Sequence, residues 1–327
     1  MYKVGIIGFG WASRAIHVPG MRQTGKFDVK VVADIRPDDG SAAAMGIEKY
    51  VTDPQLVIDD PELDVIMIGS THDVHASQCI AAMKAGKHVI VEKPIARNLQ
   101  EAAAMVEAAE RTGKTFMVAM CERFDPHHQY IKQLLEEGQL GKPLSARIDH
   151  YQNFNPAPDS WWRSKEKVGG GAVIGSGVHR LDLLRWYFGE PVKVYANGLG
   201  NPDRLEADAC VHAVITFGSG VVANFSINWS CNQFLYGEGV SITGTEGTVV
   251  KQDGLIKLGL RQEDNGILKD VCPDWGESMH GHFLRCIETG ETPMTGGVEG
   301  YKSLQLVRAI YQSMETGEIV DPATVTF

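Results

Sequence analysis

Along the first third of the chain, short apolar runs alternate with amphipathic stretches. "KVGIIG", "FDVKVVAD", "DVIMIGS" and "KHVIVEKP" are β-branched runs of strand length. Between the later ones, "VHASQCIAAMKAG" and "LQEAAAMVEAAERTG" repeat apolar residues at helical spacing and close on glycine. Strands apolar on both faces, separated by helices, predict a doubly wound parallel sheet, an α/β dinucleotide-type domain over residues 1–121. From about Gly141 the pattern changes to strands such as "PLSARIDHY", "VKVYANG", "ACVHAVITFG", "GVVANFSINW" and "GVSITGT". These predict an α+β domain over residues 122–327 with a large, open, mostly antiparallel sheet. Phe225, Ile227 and Trp229 alternate along one strand, which suggests a face available to a second copy of the chain. Helices around "HGHFLRCIETG" and "GVEGYKSLQLVRAIYQSMETG" close the chain.

Composition narrows the class. The 327 residues are 43% hydrophobic, enough for two cores. Lysine and arginine total 31 against 41 acids, a formal charge of -10, which disfavours a nucleic-acid partner or an anionic membrane surface. No apolar run approaches the roughly 20 residues that span a bilayer, and the N-terminus lacks a signal-peptide pattern. A cytoplasmic protein is expected. The six cysteines are scattered without metal-type spacing, so they read as reduced packing residues, and no metal site is expected.

The first strand runs into Gly8, Phe9, Gly10, Trp11 and Ala12, a tight turn opening a helix. Freed amides and the helix dipole at such a turn can hold a pyrophosphate. Ser13 stands at the third glycine position of the GxGxxG pattern. Asp34 ends the second strand about where a ribose-binding carboxylate belongs, which favours NAD(H). Arg36 leaves NADP(H) open, because a guanidinium there either pairs with a 2′-phosphate or is a solvated loop charge. Ligands of such sheets bind beyond the carboxyl ends of the strands, where Ser70, Thr71, His72, Glu92 and Lys93 fall, with His75 and His88 nearby as hydrogen-bonding residues. Pro94 keeps Lys93 out of helical geometry, so its amine is free to project into a cleft.

"GGGAVIGSGVHRLDLLRWYFG" joins a glycine run, unfavourable in any helix, to a well-patterned helix. The glycines read as a hinge that sets a helix N-terminus against a cofactor where side chains would collide. His179 and Asp182, three apart, share a face, so the carboxylate is a candidate to orient the imidazole directly or through water. Trp162 and Arg163 just before the glycines, Arg123 at the start of the second domain and Tyr151 at a strand end are candidate substrate contacts.

The ordered segments "GIIGFGWAS", "THDVHASQCIAAMKAGKHVIVEKPIARNLQEA", "RFDPHHQYIKQLLEEGQLGKPLSARI", the glycine–histidine stretch and "HFLRCIETGETPMTGGVEGYKSLQLVRAIYQSMETGEIV" resemble the Gfo/Idh/MocA oxidoreductases over nearly the whole chain. The resemblance implies a Rossmann domain, an α+β domain whose sheet forms a homo-oligomer interface, and hydride exchange between a nicotinamide and a sugar, inositol or related ring alcohol. It implies that Lys93 matches the lysine of the EKP motif, that His179 moves the alcohol proton, and that Asp182 belongs to the same motif. Many such proteins carry an aspartate four residues before the histidine; here Gly175 stands there, which removes a charge and is expected to leave room for a bulkier substrate. An NAD-dependent glycosidase and a non-catalytic NAD-binding regulator are the alternative readings.

Overall fold

The computed structural model describes residues 1–232, 238–261, 269–273 and 276–326. They form two compact units, the first of Met1–Met120 with Glu277–Tyr301, the second of Cys121–Gly276 with Lys302–Phe327.

In the first unit, β1 (Tyr2–Ile7), β2 (Phe27–Ala33), β3 (Lys49–Val51), β4 (Val65–Ile68), β5 (His88–Val91) and β6 (Phe116–Val118) form a six-stranded sheet in the order β3-β2-β1-β4-β5-β6. Every pairing is parallel, as the two-sided apolar runs require. The order reverses between β1 and β4, where a doubly wound sheet opens its ligand crevice. A π-type turn at Ser13–His17 leads into α1 (Val18–Gln23). Helices α2 (His75–Lys84) and α3 (Leu99–Thr112) follow β4 and β5. Asn98 caps α3 by accepting from the Glu101 amide at 2.9 Å, and Gly113, at φ 64°, ends it.

In the second unit, α4 (Pro126–Glu136) precedes β7 (Pro143–Tyr151), and α5 (Val178–Phe188) precedes β8 (Pro191–Gly200). The sheet continues through β9 (Asp208–Phe217), β10 (Val222–Asn228), β11 (Glu238–Gly244), β12 (Gly247–Gln252), β13 (Leu255–Leu260) and β14 (Lys269–Val271). Its eight strands run β14-β13-β12-β11-β7-β10-β9-β8, antiparallel except for β7 with β10. The inner face is apolar: Val211, Ala213 and Ile215 of β9 and Phe225 and Ile227 of β10 are all buried. Phe225 and Ile227 pack under the helix that bears the glycines, since a Cβ on Gly177 would lie 2.9 Å from Phe225 Cζ and 3.4 Å from Ile227 Cδ1. The expectation that Phe225, Ile227 and Trp229 form a docking face is therefore corrected. The exposed apolar side chains on the outer face include Tyr195, Val214 and Val222, one position out of phase with the buried set. Helices α6 (Met279–Thr289) and α7 (Gly297–Thr316) complete the chain. Among the described residues no helix is long and apolar enough to cross a membrane.

Candidate functional site

The glycine turn of the first unit is built to hold its backbone still. Gly8 sits at φ 85°, a conformation for glycine, and a Cβ there would collide with the Gly69–Ser70 backbone. Ser13 Oγ donates to the Gly8 carbonyl at 2.5 Å, so the small residue at the third motif position ties the turn down. Arg14 Nε donates to the Phe9 carbonyl at 2.8 Å, and its guanidinium lies over the buried Phe9 ring. Gly10 is the opposite case, with no atom within 4 Å of where its Cβ would be. That open backbone fits a pyrophosphate, which needs close approach to the peptide. Trp11 is exposed beside it.

Asp34 closes the turn from β2. Its Oδ2 accepts from the Phe9 amide at 2.8 Å, while Arg36 donates through Nε at 2.9 Å to Oδ1 and through Nη2 at 2.8 Å to Oδ2. Burial pushes the Asp34 carboxyl up, but the bonds from Arg36 and Phe9 outweigh it and hold the group below the usual carboxylate range. The carboxylate thus stands charged at the end of β2, and Arg36 reaches it as a bidentate partner from an exposed loop.

At the end of β4, Ser70 Oγ donates to Gln78 Oε1 at 2.6 Å, with Thr71 half-buried and His72 buried beside it. His75 lies between two carbonyls, Nδ1 3.0 Å from Pro94 and Nε2 3.1 Å from Ser70, and burial lowers its pKa. It fastens the β4 end to the β5 end. His88 Nδ1 accepts from the Thr115 amide at 3.2 Å, also a scaffold bond.

Glu92, expected to face the cofactor, is the acceptor of an internal chain. His17 Nε2 donates to Glu92 Oε1 at 2.9 Å, His17 Nδ1 is 3.0 Å from His280 Nε2, and Glu92 Oε2 accepts the Lys93 amide at 3.1 Å. Lys93 is half-buried, and its bond to Pro94 is cis. Glu92 is held below its usual range because His17 offsets the effect of burial. Nothing in the sequence near Lys93 announces His17 or His280, which arrive from 75 residues before Glu92 and 263 residues after His17.

Burial lowers His280 to about 3, with His17 lowering and Glu92 raising it. Folded protein therefore keeps His280 neutral where the unfolded chain takes up a proton, so stability is full above about pH 6.5 and declines as pH falls toward 3. Melting temperature should drop across that window, and His280→Gln should flatten the drop. An identical slope in the variant contradicts the assignment.

In the second unit the glycine run is explained by packing within that unit. A Cβ on Gly170, at φ 156°, would strike the Tyr311 ring, and one on Gly171 would strike the Asp208 backbone. Asp208 Oδ1 accepts the Gly171 amide at 2.8 Å and Oδ2 the Val173 amide at 2.9 Å, while Tyr311 Oη accepts from Gly171 and Ile174 at 3.2 Å each. The helix N-terminus is capped by side chains of its own unit. This corrects the hinge reading, in which the glycines made room for a cofactor.

His179 stands on α5, 8% exposed. The direct partners of Asp182 lie elsewhere. The carboxylate accepts from Arg123 Nε and Nη2 at 2.7 Å each and from Ser303 Oγ at 2.8 Å, and it is 1% exposed. Arg123, expected to hold substrate, is 3% exposed and committed to that pair. Arg180, next to His179, pairs with Glu122 and donates to His150 Nδ1 at 3.0 Å. Tyr151, expected as a substrate contact at a strand end, is on the outer face. Strand alternation sends His150 toward α5 and Tyr151 away, where its hydroxyl is 2.9 Å from Ser226 Oγ. Arg163 donates to the Pro156 and Asp203 carbonyls at 3.3 and 2.6 Å, bracing loops instead of presenting to a ligand.

Gly175 overturns the enlarged-pocket expectation. A Cβ there would lie 2.9 Å from Trp229 Cζ2 and 3.1 Å from Trp162 Cζ3, and closer still to Trp229 Cη2. The room is filled by indole. Gly175→Asp should cost about 1–3 kcal/mol in thermal or denaturant melts, from overpacking, before any effect on substrate choice. An unchanged melting temperature contradicts this.

Among the described residues, His282, Cys286 and Glu291 are the one set spaced like metal ligands. Their chemistry does not suit a cation, because His282 Nε2 already accepts the Met294 amide at 2.9 Å and the Arg285 guanidinium sits on Glu291.

Comparison with known proteins matches these two geometries. Residues 2–120 fit the oxidoreductase family model for an NAD-binding Rossmann fold, and residues 128–250 fit the GFO/IDH/MocA C-terminal domain. The chain belongs to the Gfo/Idh/MocA family. It is 28% identical to 1,5-anhydro-D-fructose reductase of Ensifer adhaerens, over 99% of each chain. It is 27% identical to myo-inositol 2-dehydrogenase of Thermotoga maritima, over 96% of each. Levoglucosan dehydrogenase in complex with NADH and levoglucosan has a similar structure, with a TM-score of 0.89 and 26% identity over 99% of this chain and 100% of that one.

Proposed function

We propose that the protein is an NAD(H)-dependent oxidoreductase that exchanges hydride with a hydroxyl-bearing or carbonyl carbon of a sugar, inositol or related ring alcohol. The observation that carries this reading is the open Gly10 backbone beside a charged Asp34, in a segment matching the family's NAD-binding fold. The amides after Gly8 would hold the pyrophosphate and Asp34 a ribose hydroxyl, with Arg36 released from its fork or left beside the adenine. When bound, the nicotinamide supplies hydride exchange. The chain must supply proton handling and charge stabilisation. His179 is assigned as the group that accepts the alcohol proton, and Lys93 as the cation that stabilises the developing alkoxide. Asp182 contributes by anchoring α5 to Arg123 and Ser303, so its role is positioning.

The exposed Tyr195, Val214 and Val222 on the outer sheet face support self-association through that face. Absorbance at 340 nm, screened over sugars, anhydro sugars and inositols with both nicotinamide cofactors, tests the main reading. Turnover with NAD+ of at least one ring alcohol is expected. Cofactor binding without turnover of any would overturn it.

A further inference from the structure

Trp229 follows β10 and is 2% exposed, yet its indole N–H meets no hydrogen-bond acceptor among the described residues. A buried donor left unmet is disfavoured by about 1–3 kcal/mol, so such a group calls for an acceptor that arrives later. The residue cannot turn to find one. Its amide donates to the Ala209 carbonyl at 2.8 Å, and its carbonyl accepts the Phe154 amide at 3.0 Å and Arg204 at 3.3 Å. The ring is clamped by Phe154, with centroids 4.3 Å apart, and by Trp162 at 5.8 Å in an edge-to-face pair.

The indole edge also packs against the helical stretch that leads to His179. Gly175 is four residues before His179, about one helical turn, so both project to the same side of the helix. Trp229 Cζ2 would be 2.9 Å from a Cβ on Gly175, and Cζ2 shares its ring-fusion neighbour with Nε1. The ring edge next to the N–H therefore packs against Gly175, four residues before His179. Glycine at 175 is what admits the ring.

We infer that Trp229 is a specificity-determining residue of the His179 site, its indole N–H donating to an ether or carbonyl oxygen of a cyclic sugar-type substrate. The inference rests on the function proposed above. An indole N–H only donates, whereas a carboxylate at the same place would only accept. A donor-only wall rewards a ring oxygen or ketone, which accepts and has no proton of its own to satisfy. A fully hydroxylated ring gains less, since its hydroxyl proton then needs a further acceptor.

The test compares levoglucosan, whose bridging oxygens are ethers, with myo-inositol, using NAD+ and the full-length protein. Wild type should prefer levoglucosan. Trp229→Phe keeps an aromatic ring and removes the donor. It should lose about tenfold to a hundredfold in kcat/KM on levoglucosan, with a much smaller change on myo-inositol. NADH affinity, read by fluorescence, and melting temperature should stay near wild type. Gly175→Ala, which displaces the indole edge without altering its N–H, should weaken the same preference. A wild type that prefers myo-inositol, an equal loss on both substrates, or an unchanged levoglucosan rate in both variants overturns the inference while leaving the proposed activity standing. A wild type that binds NADH but oxidises no ring alcohol overturns both.

Discussion

Alanine at His179 is expected to lower kcat on an accepted ring alcohol by about a hundredfold to ten-thousandfold, the range that a positioned acid or base contributes. NADH binding should be unchanged, because the glycine turn and Asp34 belong to the first unit and His179 to the second. Lys93→Met should act in the same direction by removing the cation that steadies the alkoxide. Its backbone amide, bonded to Glu92, remains in either case, so the β5 end keeps its geometry. Steady-state rates, NADH titration and circular dichroism on each variant separate loss of chemistry from loss of fold. If either variant turns over at a near-normal rate, the residue has no part in the proton chemistry. Asp182→Asn offers a contrast. Its carboxylate binds Arg123 and Ser303, so the substitution should lower stability, and any change in rate should follow from movement of α5.

The parallel sheet, its glycine turn and the mixed sheet were legible because each depends on periodicity or on one backbone requirement. Apolar runs on both faces force coverage on both sides, and Gly8 is needed for a positive φ whatever surrounds it. Side-chain partners were not legible in that way. Asp182 and His179 are correctly placed on one helix side by spacing, yet Arg123, 59 residues away, takes the carboxylate. Gly175 read as vacant space because a missing side chain says nothing of what fills its place, and Trp229 fills it. The glycine run was justified by a collision, but with Tyr311 and Asp208, the former 140 residues from the Gly171 amide that it accepts. Tyr151 shares its strand end with His150 but points to the opposite face, because one residue in a strand reverses the side chain. Trp229 appeared in the sequence as one of an alternating apolar set, and only its unmet N–H sets it apart.

The largest stability effect is expected at Arg123. Arg123→Ala leaves Asp182, 1% exposed, with its carboxylate in the core and without the two bonds at 2.7 Å that stabilise the charge. Ser303 would remain as a neutral donor, and Arg185 is 4.0 Å from Asp182 Oδ1 but already engaged by Glu190, through Nε at 3.2 Å and Nη2 at 2.8 Å. Removing one partner of a buried pair typically costs about 3–5 kcal/mol, more than truncating an apolar contact of similar size would explain. Replacing both, as in Arg123→Met with Asp182→Leu, removes the stranded charge and should recover most of that loss, because well-packed apolar residues substitute for a buried pair at little net cost. Urea midpoints of wild type, Arg123→Met, Asp182→Leu and the double variant form a complete cycle, with Arg123→Ala measured beside it. The double variant should be more stable than Arg123→Ala. If Arg123→Ala costs less than about 1 kcal/mol, the pair is as weak as a surface ion pair and does not anchor α5.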